Sequence, residues 1–302
     1  MAGEPTPRAE LQLYNSPMPP IENVSDTARW IAAYRATESE RPDAIFHDPF
    51  ARRLAGTHGE EIVATLPRAQ ESSWALVVRT KVFDEIVLER VRRDDIDLVL
   101  NLAAGLDTRA WRLDLPRTLR WVDVDLPGIL NYKTDMLRDE TPRCAYEAIT
   151  ADLTDASVRD ALFTQLGASA SRVLVITEGL LVYLEESQVQ ELARALHAAS
   201  SFRWWLTDLS NHKLLELLEK QWGATLSRGN APMKFAVDHP ESFFEALGWR
   251  VVELHSALVE AHRLKREMRM GWFTRWMLRI SPAKQAEEIR RMSMFTVLER
   301  IE

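Results

Sequence analysis

Three acidic residues, Asp125, Glu178 and Asp208, each end a short apolar segment of the chain. Ligands of parallel sheets bind at the carboxyl ends of the strands, so a ligand could reach these carboxylates. Asp125 also lies about 20 residues beyond a turn of small residues, 103–105, and a carboxylate at that spacing commonly accepts the hydroxyl groups of a ribose. Small residues in the turn allow a ligand to approach the backbone. We therefore interpret Asp125 as a residue that binds a nucleoside.

Structural roles remain open for the acids near it. Asp123 shares a strand face with Asp125 and could cap a helix or pair with an arginine. Asp152 follows the third apolar segment, and an aspartate there is typically the N-cap of the next helix. Glu178 could anchor its own loop through hydrogen bonds. The turn at Gly105 lacks the Gly-x-Gly-x-x-Gly pattern, which argues against a nicotinamide or flavin dinucleotide.

Short apolar segments alternate with helical patterns from residue 94 onward. The predicted strands are 97–103, 118–125, 144–150, 172–178, 202–208, 249–256 and 293–302. The first five are almost continuously apolar and are separated by helices, which is typical of parallel strands covered on both faces. The sequence therefore predicts an α/β fold with a doubly wound, mostly parallel, seven-stranded sheet.

The chain divides into an arm, a helical cap and this α/β core. Residues 1–24 hold five of the 14 prolines, and we expect an irregular N-terminal arm. Residues 25–93 carry helical patterns, one of which should stop at Gly56, and residues 94–302 form the core with a helical insertion before the last strand. We expect cap and core, 25–302, to form a single domain.

Within the insertion, Trp272, Phe273 and Trp276 lie among arginines. A basic aromatic helix can be membrane-seeking, but we expect this one to pack over the sheet or to line a substrate entrance. No apolar run approaches the roughly 20 residues of a membrane span, so we expect no membrane partner.

Composition and charge argue against several classes of partner and ligand. A net charge of −7 over 302 residues argues against a nucleic acid partner. The single cysteine, Cys144, fits a reducing compartment, and with no apolar signal core at the start we expect a cytoplasmic protein. The seven histidines show no paired ligand spacing on one helix, so we expect no metal.

Several motifs in order resemble those of the leucine carboxyl methyltransferase family, and most closely its bacterial small-molecule branch. They are Asn101–Leu113, Val122–Pro127, Ala151–Leu153 and Glu178–Leu184, with Asp48–Phe50 and Arg79–Thr80 ahead of them. The likeness begins near Ser25 and weakens after about Asp208. It implies a class I methyltransferase-like fold with S-adenosyl-L-methionine as the cofactor.

The resemblance also implies a role for each of eight cofactor-binding residues. Arg79 would bind the methionine carboxylate, Glu178 the amino group, Asp125 the ribose, and Asp152 and Leu153 the adenine, while Ala103, Ala104 and Gly105 form the turn behind the methionine part. A zwitterionic amino acid needs one cation and one anion, and the arginine fork matches a carboxylate. The family commonly has glycine at Ala103, and alanine is expected there only with a negative φ.

The expected activity is S-adenosylmethionine-dependent O-methylation of a carboxylate or phenolic hydroxyl of a small metabolite. A carboxylate is already ionised at neutral pH, whereas a phenol, with a pKa of about 10, would need a base. Candidates on the acceptor side are Tyr183 and His212, and His212 could equally be a helix-start residue. The alternatives are methylation of a protein C-terminus, which the eukaryotic branch of the family implies, and a catalytically silent protein that binds the cofactor.

Overall fold

A seven-stranded sheet forms the centre of the protein in a computed structural model that describes residues 24–65, 69–228 and 231–302. Within these residues the strands are β1 Leu98–Leu102, β2 Arg120–Asp125, β3 Ala145–Thr150, β4 Val173–Thr177, β5 Phe202–Ser210, β6 Trp249–Ser256 and β7 Ser293–Arg300. Their order is β3-β2-β1-β4-β5-β7-β6, and β7 runs antiparallel between β5 and β6 while the other pairs are parallel. The predicted doubly wound, mostly parallel sheet is confirmed.

Helices cover both faces of this sheet. Over the described residues they are α1 Val24–Ser39, α2 Ala51–Thr65, α3 Ala69–Arg93, α4 Arg109–Arg112, α5 Pro127–Met136, α6 Ala156–Ala168, α7 Glu186–Ala198, α8 His212–Arg228, α9 Pro240–Glu245, α10 Ala257–Arg263, α11 Gly271–Ile280 and α12 Ala283–Arg290. Local sequence explains two of the starts: proline stands at the beginning of α5 and α9, where its missing N–H costs nothing.

Alternate residues of the central strands enter two separate cores. On β1, Val99 joins a core with the cap helices α1 to α3, whereas Leu98 and Leu100 join a core with α6 and α7. Every residue of β1 and β4 is buried, as predicted for parallel strands covered on both faces. The prediction is wrong for β3, whose residues are exposed or half-buried because β3 is an edge strand.

Of two other expectations about helices, one is confirmed and one needs correction. The predicted stop at Gly56 is confirmed as a break, because Gly56 takes the non-helical φ +60° and ψ −176°, and a second helical segment continues from there to Thr65. The aromatic helix α11 does not pack over the sheet: Trp272 and Trp276 are 62% and 51% exposed. The predicted arm, 1–24, lies outside the described residues except for its last position.

No helix among the described residues is long and apolar enough to cross a membrane. In that same part of the chain, no group of three or more His, Cys, Asp or Glu side chains is placed to hold a metal ion.

Candidate functional site

A cavity of about 460 Å³ lies at the carboxyl ends of β1, β2, β3 and β4. It is walled by the turns after these strands, by α1 and α3 of the cap, and by residues 231–234. All eight predicted cofactor residues line it: Arg79, Ala103, Ala104, Gly105, Asp125, Asp152, Leu153 and Glu178. Residues that are far apart in the sequence, such as Arg79 and Asp152, are therefore brought to one site.

The turn after β1 bends through two residues with positive φ. Gly105 takes φ +49°, which costs glycine little. Ala103 takes φ +51°, so the expectation of a negative φ there is wrong. A left-handed alanine costs roughly 1 to 2 kcal/mol, and the turn keeps the bend that a glycine would adopt more easily. The backbone N–H of Ala104 donates to the carbonyl of Val124 at 3.2 Å, which ties the turn to the end of β2.

Asp125 lies beside this turn, with both of its oxygens held by backbone donors. Oδ2 accepts from the N–H of Gly105 at 2.6 Å and Oδ1 from the N–H of Leu126 at 2.7 Å. Burial raises the pKa of Asp125, and these two bonds only partly oppose that rise. Each oxygen keeps a second lone pair, so the carboxylate can still accept hydroxyl groups from a ligand.

Arg79 on α3 reaches across the site to two acids. Its Nε donates to Oε1 of Glu178 at 3.0 Å, and its Nη1 donates to Oδ2 of Asp208 at 2.7 Å. Oδ1 of Asp208 accepts from the backbone N–H of Gly179 at 2.7 Å, which fixes the exit of β4. Among the described residues no hydrogen bond from Nη2 of Arg79 is present, and Arg79 lies on the cavity wall, so this nitrogen keeps a donor for an anion.

Glu178 is held by a second arginine whose role the sequence did not suggest. Nη1 of Arg109 donates to Oε2 of Glu178 at 2.7 Å and also pairs with Asp107 at 2.6 Å. Burial would raise the pKa of Glu178, but the charges of Arg109 and Arg79 outweigh it and hold the pKa below its usual range. Glu178 is therefore a carboxylate at neutral pH. In the sequence, Arg109 stands in the motif after β1, and that position indicates only a residue at the start of a helix.

The same ion-pair chain continues away from the cavity into the cap. Nε of Arg109 pairs with Asp84 of α3 at 2.7 Å, and Asp84 also pairs with Arg112 at 2.6 Å. Arg35 of α1 pairs with Asp48 at 2.9 Å. Buried charges are tolerated only when they are paired and hydrogen-bonded, so these contacts fix the cap onto the core where the site is built.

The acid on the same strand face as Asp125 has a structural role. Asp123 is buried and accepts from Nζ of Lys133 at 2.6 Å, from Nε1 of Trp121 at 2.9 Å and from Nδ2 of Asn101 at 3.0 Å. Its partner is thus a lysine of α5 rather than the arginine considered from the sequence.

Asp152 does not cap α6, contrary to the structural alternative. Asp155 is the N-cap, and its side chain accepts from the backbone N–H groups of Ser157 and Val158. Asp152 instead holds its own turn, where Oδ1 accepts from the backbone N–H of Thr154 at 2.9 Å. It remains on the cavity wall beside Leu153.

The two candidates on the acceptor side lie in different places. Tyr183 lines the cavity, and burial raises the pKa of its hydroxyl. His212 is absent from the described cavity wall: it begins α8 with an exposed side chain, and its Nδ1 lies 3.0 Å from Oδ2 of Asp238. The structure therefore brings Tyr183, but not His212, to the predicted cofactor residues.

Comparisons with known proteins place this geometry in context. The sequence model of the family described as leucine carboxyl methyltransferase matches residues 28–197, more than half of the chain. A protein of Streptomyces avermitilis is 30% identical over 79% of this chain and 84% of its own length, and one of Streptomyces coelicolor is 31% identical over 74% and 80%. Both proteins have been assigned as S-adenosyl-L-methionine-dependent methyltransferases.

Two crystal structures share the fold. One, a DUF574 family protein from Streptomyces avermitilis, has a TM-score of 0.57 at 12% identity and covers 89% of this chain and 96% of its own. The other is a protein from Thermobifida fusca that has been assigned as a methyltransferase. It has a TM-score of 0.55 at 15% identity and covers 94% of this chain and 96% of its own. At such identities the likeness concerns the fold alone.

Proposed function

The chain belongs to the leucine carboxyl methyltransferase family and is an S-adenosylmethionine-dependent methyltransferase, and from this premise we propose that it methylates a carboxylate oxygen of a small metabolite. The wider possibility is an oxygen of either a carboxylate or a phenol. The observation that carries the choice of a carboxylate is the set of titratable side chains on the cavity wall.

The residues on the wall suit the cofactor. Arg79 and the ionised Glu178 form a cation and an anion side by side, as a zwitterionic amino acid requires. Asp125 stands across the small-residue turn from them with lone pairs for ribose hydroxyls. When bound, S-adenosylmethionine supplies a methyl group on a positively charged sulfur. The cavity volume lies within the ordinary range of small-molecule sites, about 300 to 1,000 Å³.

No histidine or cysteine belongs to the described part of the cavity wall. Asp107 and Glu178 are poor bases, because neighbouring cations together outweigh burial and hold the pKa of each carboxyl below its usual range; they are Arg109, Lys133 and Arg112 for Asp107, and Arg109 and Arg79 for Glu178. Burial raises the pKa of Asp125, but this carboxyl is the one assigned to the ribose hydroxyls. Tyr183 has a raised pKa, so its hydroxyl keeps its proton at neutral pH. An acceptor that arrives already ionised needs none of these groups, and a carboxylic acid with a pKa of about 4 is such an acceptor.

The chain's own contribution is then alignment rather than proton transfer. Methyl transfer needs the acceptor oxygen in line with the methyl group and the sulfur, and fixed positions for both partners lower the barrier. The apolar wall formed by Ile31, Leu180 and Leu184 faces the cavity and limits water around the acceptor.

The experiment uses cofactor labelled on the methyl group and a panel of small carboxylic acids, phenols and a peptide with a free C-terminus. We expect labelled product from a small carboxylic acid, and the product should release labelled methanol in mild base because it is an ester. A base-stable product from a phenol overturns the carboxylate assignment. Labelling of the peptide alone favours a protein C-terminus, and cofactor binding without turnover of any acceptor favours a silent binding protein. The matched control is Asp125→Asn, which should reduce labelling of every acceptor alike.

A further inference from the structure

Helix α11 presents its apolar side to solvent rather than to the protein. Met270, just ahead of the helix, is 56% exposed, and the outward side chains of the helix follow the spacing of one helical face. They are Trp272, Phe273, Trp276, Met277 and Ile280, which are 41% to 62% exposed. A helix on the surface of a soluble domain normally turns this side inward.

The opposite side of α11 already faces the protein. Gly271 is buried, and Thr274 and Leu278 lie against α10 around a small cavity of about 200 Å³. Arg275 is held there by an ion pair with Glu267. The helix is therefore docked on its less apolar side, so a rotation that buried the aromatic side would break these contacts.

The exposed aromatic rings form one continuous patch. The ring centroids of Trp272 and Phe273 are 5.9 Å apart, and those of Phe273 and Trp276 are 5.7 Å apart. Contiguous apolar patches of this kind on a soluble protein mark an interaction surface.

Cations surround this patch on a chain whose net charge is −7. Arg269 precedes the helix and Lys284 follows it, while Arg279 lies in its last turn and also borders the small cavity against α10; all three are exposed. None of the three has an ion-pair partner in the described residues, whereas the nearby acids Glu267, Glu287 and Glu288 pair with other cations. The patch thus combines exposed tryptophan with unpaired positive charge.

We propose that α11 docks the protein onto an anionic membrane surface. The outward aromatic side would enter the boundary between headgroups and acyl chains, and Arg269, Arg279 and Lys284 would contact the lipid phosphates. A second copy of the chain fits the patch less well. A twofold contact through one helix of ten residues would bring the flanking cations of one copy against those of the other, and their repulsion opposes it.

The test is sedimentation of the full chain with vesicles of phosphatidylcholine alone and of phosphatidylcholine mixed with phosphatidylglycerol. We expect binding to the mixed vesicles that weakens as salt is added. The pair Trp272→Ser and Trp276→Ser should lower partitioning at least about tenfold. The pair Arg269→Ser and Arg279→Ser should lower binding to the mixed vesicles only.

Matched controls alter exposed apolar and basic side chains elsewhere on the surface. Val158→Ser with Leu217→Ser removes exposed apolar side chains, and Arg92→Ser with Arg117→Ser removes exposed cations; both pairs should bind as the unaltered chain does. Thermal melting checks that each variant folds. Failure of the full chain to bind the mixed vesicles overturns the proposal. This holds also if the reason for the failure is that residues 1–23 or a second copy cover the patch. If light scattering shows that the unaltered chain is a dimer and that the tryptophan pair is not, the occupant is a second copy instead.

Discussion

Nε of Arg79 donates to Oε1 of Glu178 at 3.0 Å, although the two residues are 99 positions apart. The cation assigned to the carboxylate of the cofactor's methionine part and the anion assigned to its amino group are therefore bound to each other on the cavity wall. Asp208 and Arg109 hold the outer sides of this pair. Because both groups are fixed by partners of their own, little side-chain ordering remains to oppose ligand binding.

Arg79→Met should weaken binding of S-adenosylmethionine at least about tenfold, because removing a charge-assisted partner from a carboxylate costs roughly 2 to 4 kcal/mol. Isothermal calorimetry with the cofactor and its demethylated product measures the effect. The melting temperature should also fall, since Asp208 and Glu178 each lose a partner. Arg79→Lys keeps the charge but loses the fork, so its affinity for the cofactor should lie between that of Arg79→Met and that of the unaltered chain.

The control for this series is Arg92→Ala on the same helix, whose side chain is 65% exposed. Its affinity should match that of the unaltered chain. Equal affinity in Arg79→Met and Arg92→Ala would return Arg79 to a purely structural role.

Cofactor affinity should fall on acidification, and Asp125 should be the cause. Burial raises the pKa of Asp125, so this carboxyl takes up a proton at a higher pH than a free aspartate would. A protonated carboxyl accepts hydroxyl groups less well, so affinity should decline as the pH falls through that raised pKa. Calorimetry at a series of pH values measures the decline. In Asp125→Asn the affinity should be weaker throughout and this pH dependence should disappear; a decline that persists assigns it to another group.

Local signals predicted the seven strands, whereas the set of eight cavity residues came from the family resemblance; seven of them lie at strand ends and Arg79 lies on α3. Apolar runs between helices mark buried strands, and the motif residues follow those strands directly. The ion pairs were not predictable in the same way. Asp208 was visible as a strand-ending acid, but its partner Arg79 comes from a helix more than a hundred residues earlier, and periodicity carries no information on which cation reaches which acid.

The errors have physical reasons as well. An apolar run predicts a strand, not its place in the sheet, so β3 could not be recognised as an exposed edge. For α11, helical spacing identifies an apolar face without saying which way that face points, and only packing against α10 shows that it points outward.

Ala103→Gly should maintain or raise stability, unlike most alanine-to-glycine changes. The left-handed φ of Ala103 costs roughly 1 to 2 kcal/mol, and glycine removes that strain while adding about 0.5 to 1 kcal/mol of unfolded-state entropy. Ala104→Gly is the matched control in the same turn: its φ is not positive, so it should destabilise the protein by about 1 kcal/mol. Denaturant unfolding compares the two. A loss of stability in Ala103→Gly as large as in Ala104→Gly contradicts the strain argument.

His255 should make folding stability depend on pH on the alkaline side. Its ring lies 3.4 Å from Glu253 and 3.3 Å from Glu260, and hydrogen bonds to these acids raise the pKa of His255 to about 9. Since the folded-state pKa exceeds the unfolded value, the stabilisation is complete below pH 6.5 and is lost as the pH rises through about 9. We expect a loss of about 1 to 2 kcal/mol after allowance for solvent screening.

Urea unfolding between pH 6 and pH 10 would measure this loss. His255→Gln should be less stable at neutral pH and should lack the decline between about pH 6.5 and 9. The same slope in both proteins would assign the decline to other groups.

His212→Ala should leave both kcat and KM unchanged. The side chain is exposed, interacts with Asp238 and does not reach the described cavity wall, so it cannot take a proton from an acceptor there. Tyr183→Phe is the informative partner, because Tyr183 lines the cavity and its raised pKa leaves the hydroxyl protonated at neutral pH. A protonated hydroxyl can orient an acceptor by donating a hydrogen bond, so this change should raise KM by about tenfold or less.

Steady-state rates over a range of pH with a carboxylic acid acceptor separate positioning from proton transfer. If the acceptor arrives ionised, kcat should show no ionisation near neutral pH in the unaltered chain, and neither variant should introduce one. Loss of a general base would instead lower kcat by about 10²- to 10⁴-fold and remove a limb of the rate profile. Such a loss in Tyr183→Phe would make this tyrosine the base despite its burial, and in His212→Ala it would require α8 to close over the cavity. Either result would replace the carboxylate by an acceptor that must be deprotonated on the enzyme.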